Sequence, residues 1–93
     1  DDMLADLAYL ALSLDGEADE LVNKVKKIWR HGHALDVAQL IEEVGDVLWY
    51  VAVMAARLGV DLEEVAVGNI DKLLERYPEG FSQERSRNRK EGG

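Results

Sequence analysis

The sequence predicts an all-α fold, an antiparallel helical bundle completed by oligomerisation. Apolar residues recur at three- and four-residue steps along most of the chain, which is the helix period. The single proline, Pro78, comes late, so no proline interrupts the earlier segments. No stretch shows the apolar–polar alternation of a half-buried strand. The oligomer follows from size: a domain near 93 residues buries only about 60% of its unfolded surface. An apolar content of 47% is high for so small a body, and it points to burial against a second copy.

The first helix runs from Met3 to Trp29, on the steps of Met3, Leu7, Leu10, Leu14, Leu21, Val25 and Ile28. Gly16 weakens it, and the Asp15-Gly16 step could break it into two segments. Gly32, after Arg30 and His31, suits a C-terminal cap. Asp36 suits the N-cap of a second helix, which carries Leu40, Val44, Val47, Leu48, Val51, Met54 and Leu58 and stops at Gly59. Asp61 opens a third helix through Leu62, Val65, Ile70, Leu73 and Leu74, with Glu64 placed for a capping box. Pro78 and Gly80 end it. Residues 1–81 thus form one helical domain. Residues 82–93 read as a polar, basic, irregular tail with Arg85, Arg87, Arg89 and Lys90, a solvated segment first and an arm reaching toward a phosphate as the alternative.

Several classes of function are disfavoured. A net charge of −8 argues against a nucleic-acid polymer as partner, because backbone binding needs a basic face. Without cysteine there is no disulfide or thiolate framework. No apolar run approaches the roughly 20 residues that span a bilayer, and no signal-peptide pattern opens the chain. A cytoplasmic protein without a membrane partner is expected. The chain opens on Asp1 rather than Met, which leaves room for a preceding segment.

The acidic residues are phased rather than scattered. At about 100° per residue, Glu17 and Glu20 lie roughly 60° apart at one edge of the first helix's apolar stripe. Glu43 and Asp46 hold the same offset on the second helix. Packed stripe to stripe and antiparallel, the helices would bring the four acids together, where they repel unless cations intervene. Oxygen-only ligation suits Mg²⁺ or Mn²⁺. On the third helix Asn69, Lys72 and Arg76 occupy the equivalent arc, a donor and two cations suited to a polyphosphate. Helical phase alone leaves two readings open, a metal site and plain solvated faces.

Other residues carry weaker signals. Trp49 lies off the apolar stripe, as at a subunit interface or against a base. Tyr50, one turn past Asp46, could touch sugar or base, or simply edge the core. Trp29 reads as core. Lys24 and Lys27 supply counter-charge to the acids, and Lys27 is in addition a candidate substrate contact. Glu42 points about 100° from Glu43 and reads as solvated. His31 and His33 read as part of a helix end. No Gly-rich phosphate loop appears.

The two acidic pairs, Glu17-Ala18-Asp19-Glu20 and Glu43-Val44-Gly45-Asp46, resemble the Glu-x-x-Glu and Glu-x-x-Asp elements of the MazG-like all-α nucleoside triphosphate pyrophosphohydrolases. The strings GEADELVNKVKK from Gly16, EEVGDVLWY from Glu42 and NIDKLLERYPEGF from Asn69 extend the resemblance from Leu10 to about Arg89. It is strongest to the small single-domain bacterial and phage type. The resemblance implies hydrolysis of a nucleoside or deoxynucleoside triphosphate to monophosphate and pyrophosphate, for house-cleaning or pool control. It implies Mg²⁺, with Mn²⁺ able to substitute, held by Glu17, Glu20, Glu43 and Asp46. It further implies phosphate contacts from Asn69, Lys72 and Arg76, and a homo-oligomer, dimer or tetramer. Two features depart from the family pattern. Asp19 stands where glycine is common, and little of the usual preceding helix is present.

One carboxylate not fully used in ligation could accept a proton from the attacking water, and Glu20 is the candidate for that catalytic role. The competing reading is a non-catalytic helical module that binds nucleotides or only oligomerises.

Overall fold

A computed structural model describes residues 2–79 of the chain, so the tail assigned to 82–93 lies outside the described residues. Among the described residues all regular structure is helical. Helix α1 spans Asp2–His31, α2 spans Val37–Arg57 and α3 spans Leu62–Arg76. The chain falls into two compact units, Asp1–Leu62 and Glu63–Gly93, described in turn.

The first unit is the pair α1 and α2. Its helix ends follow local chemistry. Asp36 caps α2 in extended backbone, its carboxylate accepting from the Gln39 N–H at 3.1 Å. Gly32 and Gly59 take the left-handed conformation, with φ of 68° and 87°, at the two points where the chain leaves a helix. The chain does not break at Gly16: α1 is continuous through it. The glycine costs about 1 kcal/mol relative to alanine, and residues of the seam on either side offset that.

That seam is the apolar stripe read from the sequence. Leu10 and Ala55 are buried. Leu7, Leu14, Leu21 and Ile28 of α1 are half-buried, as are Leu40, Val47, Val51 and Met54 of α2. Polar contacts fix the register. Asp6 early in α1 meets Arg57 at the end of α2, and Lys24 further along α1 meets Glu43 earlier in α2. Three expectations are corrected. Val25 and Val44, placed on the seam by phase, are exposed, and Trp29, read as core, is 74% exposed. The seam is narrower than the apolar arc of either helix, and Trp29 lies past it with the Arg30 guanidinium 4.3 Å from its ring.

The second unit contains α3 from Glu63 on, exposed throughout, while the helix's first residue, half-buried Leu62, belongs to the first unit. Just beyond it, buried Tyr77 donates its N–H to the Leu73 carbonyl at 2.7 Å. No described helix is long and apolar enough to cross a membrane.

Candidate metal centre

The carboxylates gather where α1 crosses the first half of α2. One oxygen each from Glu17, Glu43 and Asp46 lies within 4.8 Å of the others. Two helices supply these groups because both acidic pairs sit at the same edge of their apolar stripes. Glu17 and Glu43 are half-buried and Asp46 is exposed, so the cluster opens to solvent on the Asp46 side. Oxygen Oε2 of Glu17 and Oε2 of Glu43 are shut off from solvent without a hydrogen-bond partner. Leaving such acceptors orphaned is costly.

Electrostatics tell the same story. Glu17 is held above the ordinary carboxylate range, first by loss of solvent around it and then by the negative charge of Glu20 and Asp46. A hydrogen bond with Glu20 and the charge of Glu43 act in the same direction. Glu20 therefore stands beside Glu17, exposed, but outside the tight trio. Among the described residues one cation answers: Lys24 Nζ lies 3.6 Å from Glu43 Oε1. The trio offers only oxygen, on a hard, anionic, partly desolvated face. That donor set fits a divalent cation of the Mg²⁺, Mn²⁺ or Ca²⁺ kind.

The remaining candidates are placed as follows. Half-buried Tyr50 follows Asp46 by one turn of α2. Lys27 is exposed on α1, two turns past Glu20. Asn69, Lys72 and Arg76 are exposed on α3 in the second unit, and their spacing keeps them on one side of that helix. Asp19 does not join the cluster. It is exposed and accepts from Asn23 Nδ2 at 3.4 Å, so the charge at the position where glycine is common faces solvent. Motif spacing does not single out Asp6 or Arg57, although both share the helical phase of the acids.

The sequence pattern of the MazG nucleotide pyrophosphohydrolase domain matches residues 5–81. The chain belongs to this MazG family. A MazG chain with this carboxylate trio has the means to hold metal, and the family is typically dependent on divalent metal. The gene 37 protein of Mycobacterium phage L5 is 40% identical over 92 residues, covering 95% of this chain and 81% of the relative. That name states no activity. No solved structure matches the chain.

Proposed function

We propose that the protein is a Mg²⁺-dependent pyrophosphohydrolase that converts a nucleoside or deoxynucleoside triphosphate to its monophosphate and pyrophosphate. The observation that carries this reading is the trio of Glu17, Glu43 and Asp46, in which Glu17 and Glu43 each have a carboxylate oxygen shut off from solvent without a hydrogen-bond partner. Family membership supplies the reaction class.

In this reading Glu17, Glu20, Glu43 and Asp46 hold the metal, Mg²⁺ or in its place Mn²⁺. When bound, the cation supplies charge neutralisation for the triphosphate and acidifies water. Glu20 takes the proton as water attacks the α-phosphorus. Its exposure beside Glu17, outside the trio, leaves it an oxygen for that task. The bond from the α-phosphorus to the bridging oxygen breaks, and pyrophosphate leaves with the bonding pair. Lys72 and Arg76 offset the charge that develops on it, Asn69 and Lys27 donate to phosphate oxygens, and Tyr50 stands against the nucleoside.

The working unit in this reading is a homo-oligomer, a dimer or tetramer. Support comes from the apolar side chains that α1 and α2 leave outside their seam. On α2 these include Val37, Ile41, Val44 and Leu48, at four-, three- and four-residue steps, with exposed Trp49 beside them. On α1 they include Val22, Val25 and Trp29. Full burial of each such side chain is worth about 1.5–3 kcal/mol. These side chains are already about half covered, so their burial would give a sum of the same order as an association cost of about 4–15 kcal/mol.

A screen of the eight common NTPs and dNTPs with pyrophosphate detection tests the proposal. Pyrophosphate release from at least one is expected with Mg²⁺, and its loss with EDTA and in Glu43→Gln. Metal-dependent nucleotide binding without turnover would instead identify a non-catalytic module.

A further inference from the structure

A second feature of the α1–α2 pair lies outside the carboxylate cluster. Toward the start of α1 and the end of α2 there is an open cavity of about 460 Å³, lined by Asp6, Tyr9, Leu10, Val53, Ala56 and Arg57. Its size falls within the range of about 300–1,000 Å³ usual for small-molecule sites. Leu10, Val53 and Ala56 give it an apolar floor. At its rim the Arg57 Nε–H donates to Asp6 Oδ2 at 2.9 Å.

The cavity and the acids share a face. On α1, Asp6, Tyr9 and Leu10 fall within the arc, about 100° wide, that holds Glu17 and Glu20. On α2, Val53 and Arg57 fall within the arc of Glu43 and Asp46. The offset also matches on both helices. Leu10 precedes Glu17 by seven residues and Val53 follows Asp46 by seven, about 10 Å along each axis. Tyr50 stands between, one turn from Asp46 and one from Val53. A triphosphate held at the acids would extend its nucleoside along this face toward the cavity.

The chemistry of the cavity suits that end of the molecule. Tyr9, 66% exposed, presents a ring for stacking, and base–aromatic stacking is worth about 1–3 kcal/mol. Beside it the rim offers acceptor and donor together. The Asp6 carboxylate has lone pairs beyond the one that Arg57 uses, and the guanidinium has N–H groups beyond Nε. Among the described residues that ion pair is exposed, at 35% for Arg57 and 54% for Asp6, so it contributes only about 0–1 kcal/mol to stability.

We propose that this cavity seats the nucleobase of the substrate, with Tyr9 stacking on it and the Asp6–Arg57 pair reading its hydrogen-bonding edge. This rests on the nucleotide reading of the carboxylate cluster and adds to it the residues that set base preference.

The test is calorimetry on the full chain with Mg²⁺, comparing α,β-methylene analogues of the four dNTPs with inorganic tripolyphosphate. The variants are Tyr9→Leu and the charge-neutral double change Asp6→Asn with Arg57→Gln. The wild type is expected to bind at least one analogue tenfold or more tighter than tripolyphosphate. Tyr9→Leu should weaken every analogue about tenfold. The double change should compress the spread among bases by a similar factor. Neither should move tripolyphosphate affinity, which a merely structural effect would move. Equal loss for analogues and tripolyphosphate overturns the base seat, and so does an unchanged spread. Those failures leave the metal centre standing. Absence of Mg²⁺-dependent tripolyphosphate binding in the wild type removes the nucleotide reading and the base seat with it.

Discussion

Lys24 on α1 stands 3.6 Å from Glu43 on α2, so the acidic cluster holds a cation of the protein's own against it. That ammonium competes with any metal for the same carboxylate. Lys24→Met is therefore expected to tighten metal binding. Two unit charges about 4 Å apart interact by about 1 kcal/mol in water, which corresponds to roughly fivefold in affinity. Titration with Mn²⁺ followed by electron paramagnetic resonance measures it. Weaker Mn²⁺ binding in the variant would mean that Lys24 organises the site rather than competing for it.

Glu17 gives a pH dependence of definite sign. Its value in the folded protein is raised, so the folded chain holds that proton more tightly than the unfolded one. The contribution of Glu17 to the stability of the metal-free protein is then greatest below the ordinary glutamate value of about 4.3. It declines as pH rises from there through the raised value. Glu17→Gln should flatten that part of the profile and stabilise the metal-free protein at neutral pH. Thermal melts across pH in EDTA provide the check, and an unchanged slope in the variant contradicts the assignment.

Metal should reverse the penalty. A cation at about ten times its Kd adds about 1.4 kcal/mol by linkage, a shift of several degrees in Tm for a domain of this size. The wild type should show it with Mg²⁺, and Asp46→Asn should show little of it. Equal shifts in both proteins would place the ion elsewhere.

The exposed apolar row of α2 predicts an interface. Ile41→Glu combined with Leu48→Glu should shift the protein to a lighter species in size exclusion with light scattering. If the wild type is itself monomeric at micromolar concentration, the interface proposal fails.

The Asp36 cap offers a control outside the site. Asp36→Ala removes the acceptor for the Gln39 N–H and should cost about 1 kcal/mol, while Mn²⁺ affinity stays at the wild-type value.

Much of the first unit was legible in the sequence because helix period and cap chemistry are local. The Asp36 cap, the turn at Gly59 and the seam from Leu7 to Ile28 needed no knowledge of the partner helix. The convergence of Glu17, Glu43 and Asp46 was legible too, since equal offsets from two packed stripes bring edges together. What escaped depended on how wide the seam is. Trp29 and Val44 sit at apolar phases, yet the contact between α1 and α2 is too narrow to cover them. Gly16 could have been a break because its intrinsic cost is visible in sequence, while the burial of seam residues such as Leu14 and Leu21 on either side is not. Glu20 could not be separated from the trio by phase, since its exposed position beside Glu17 depends on side-chain direction.

In the proposed reaction this carboxylate cluster promotes attack of water at the α-phosphorus of a nucleotide. Turnover of the preferred triphosphate in ¹⁸O-labelled water, with products resolved by ³¹P nuclear magnetic resonance, tests it most directly. The expected result is label in the nucleoside monophosphate, unlabelled pyrophosphate, and a rate lowered by at least a hundredfold in Glu43→Gln. Label in pyrophosphate, release of inorganic phosphate, or a Glu43→Gln rate equal to wild type would contradict the account.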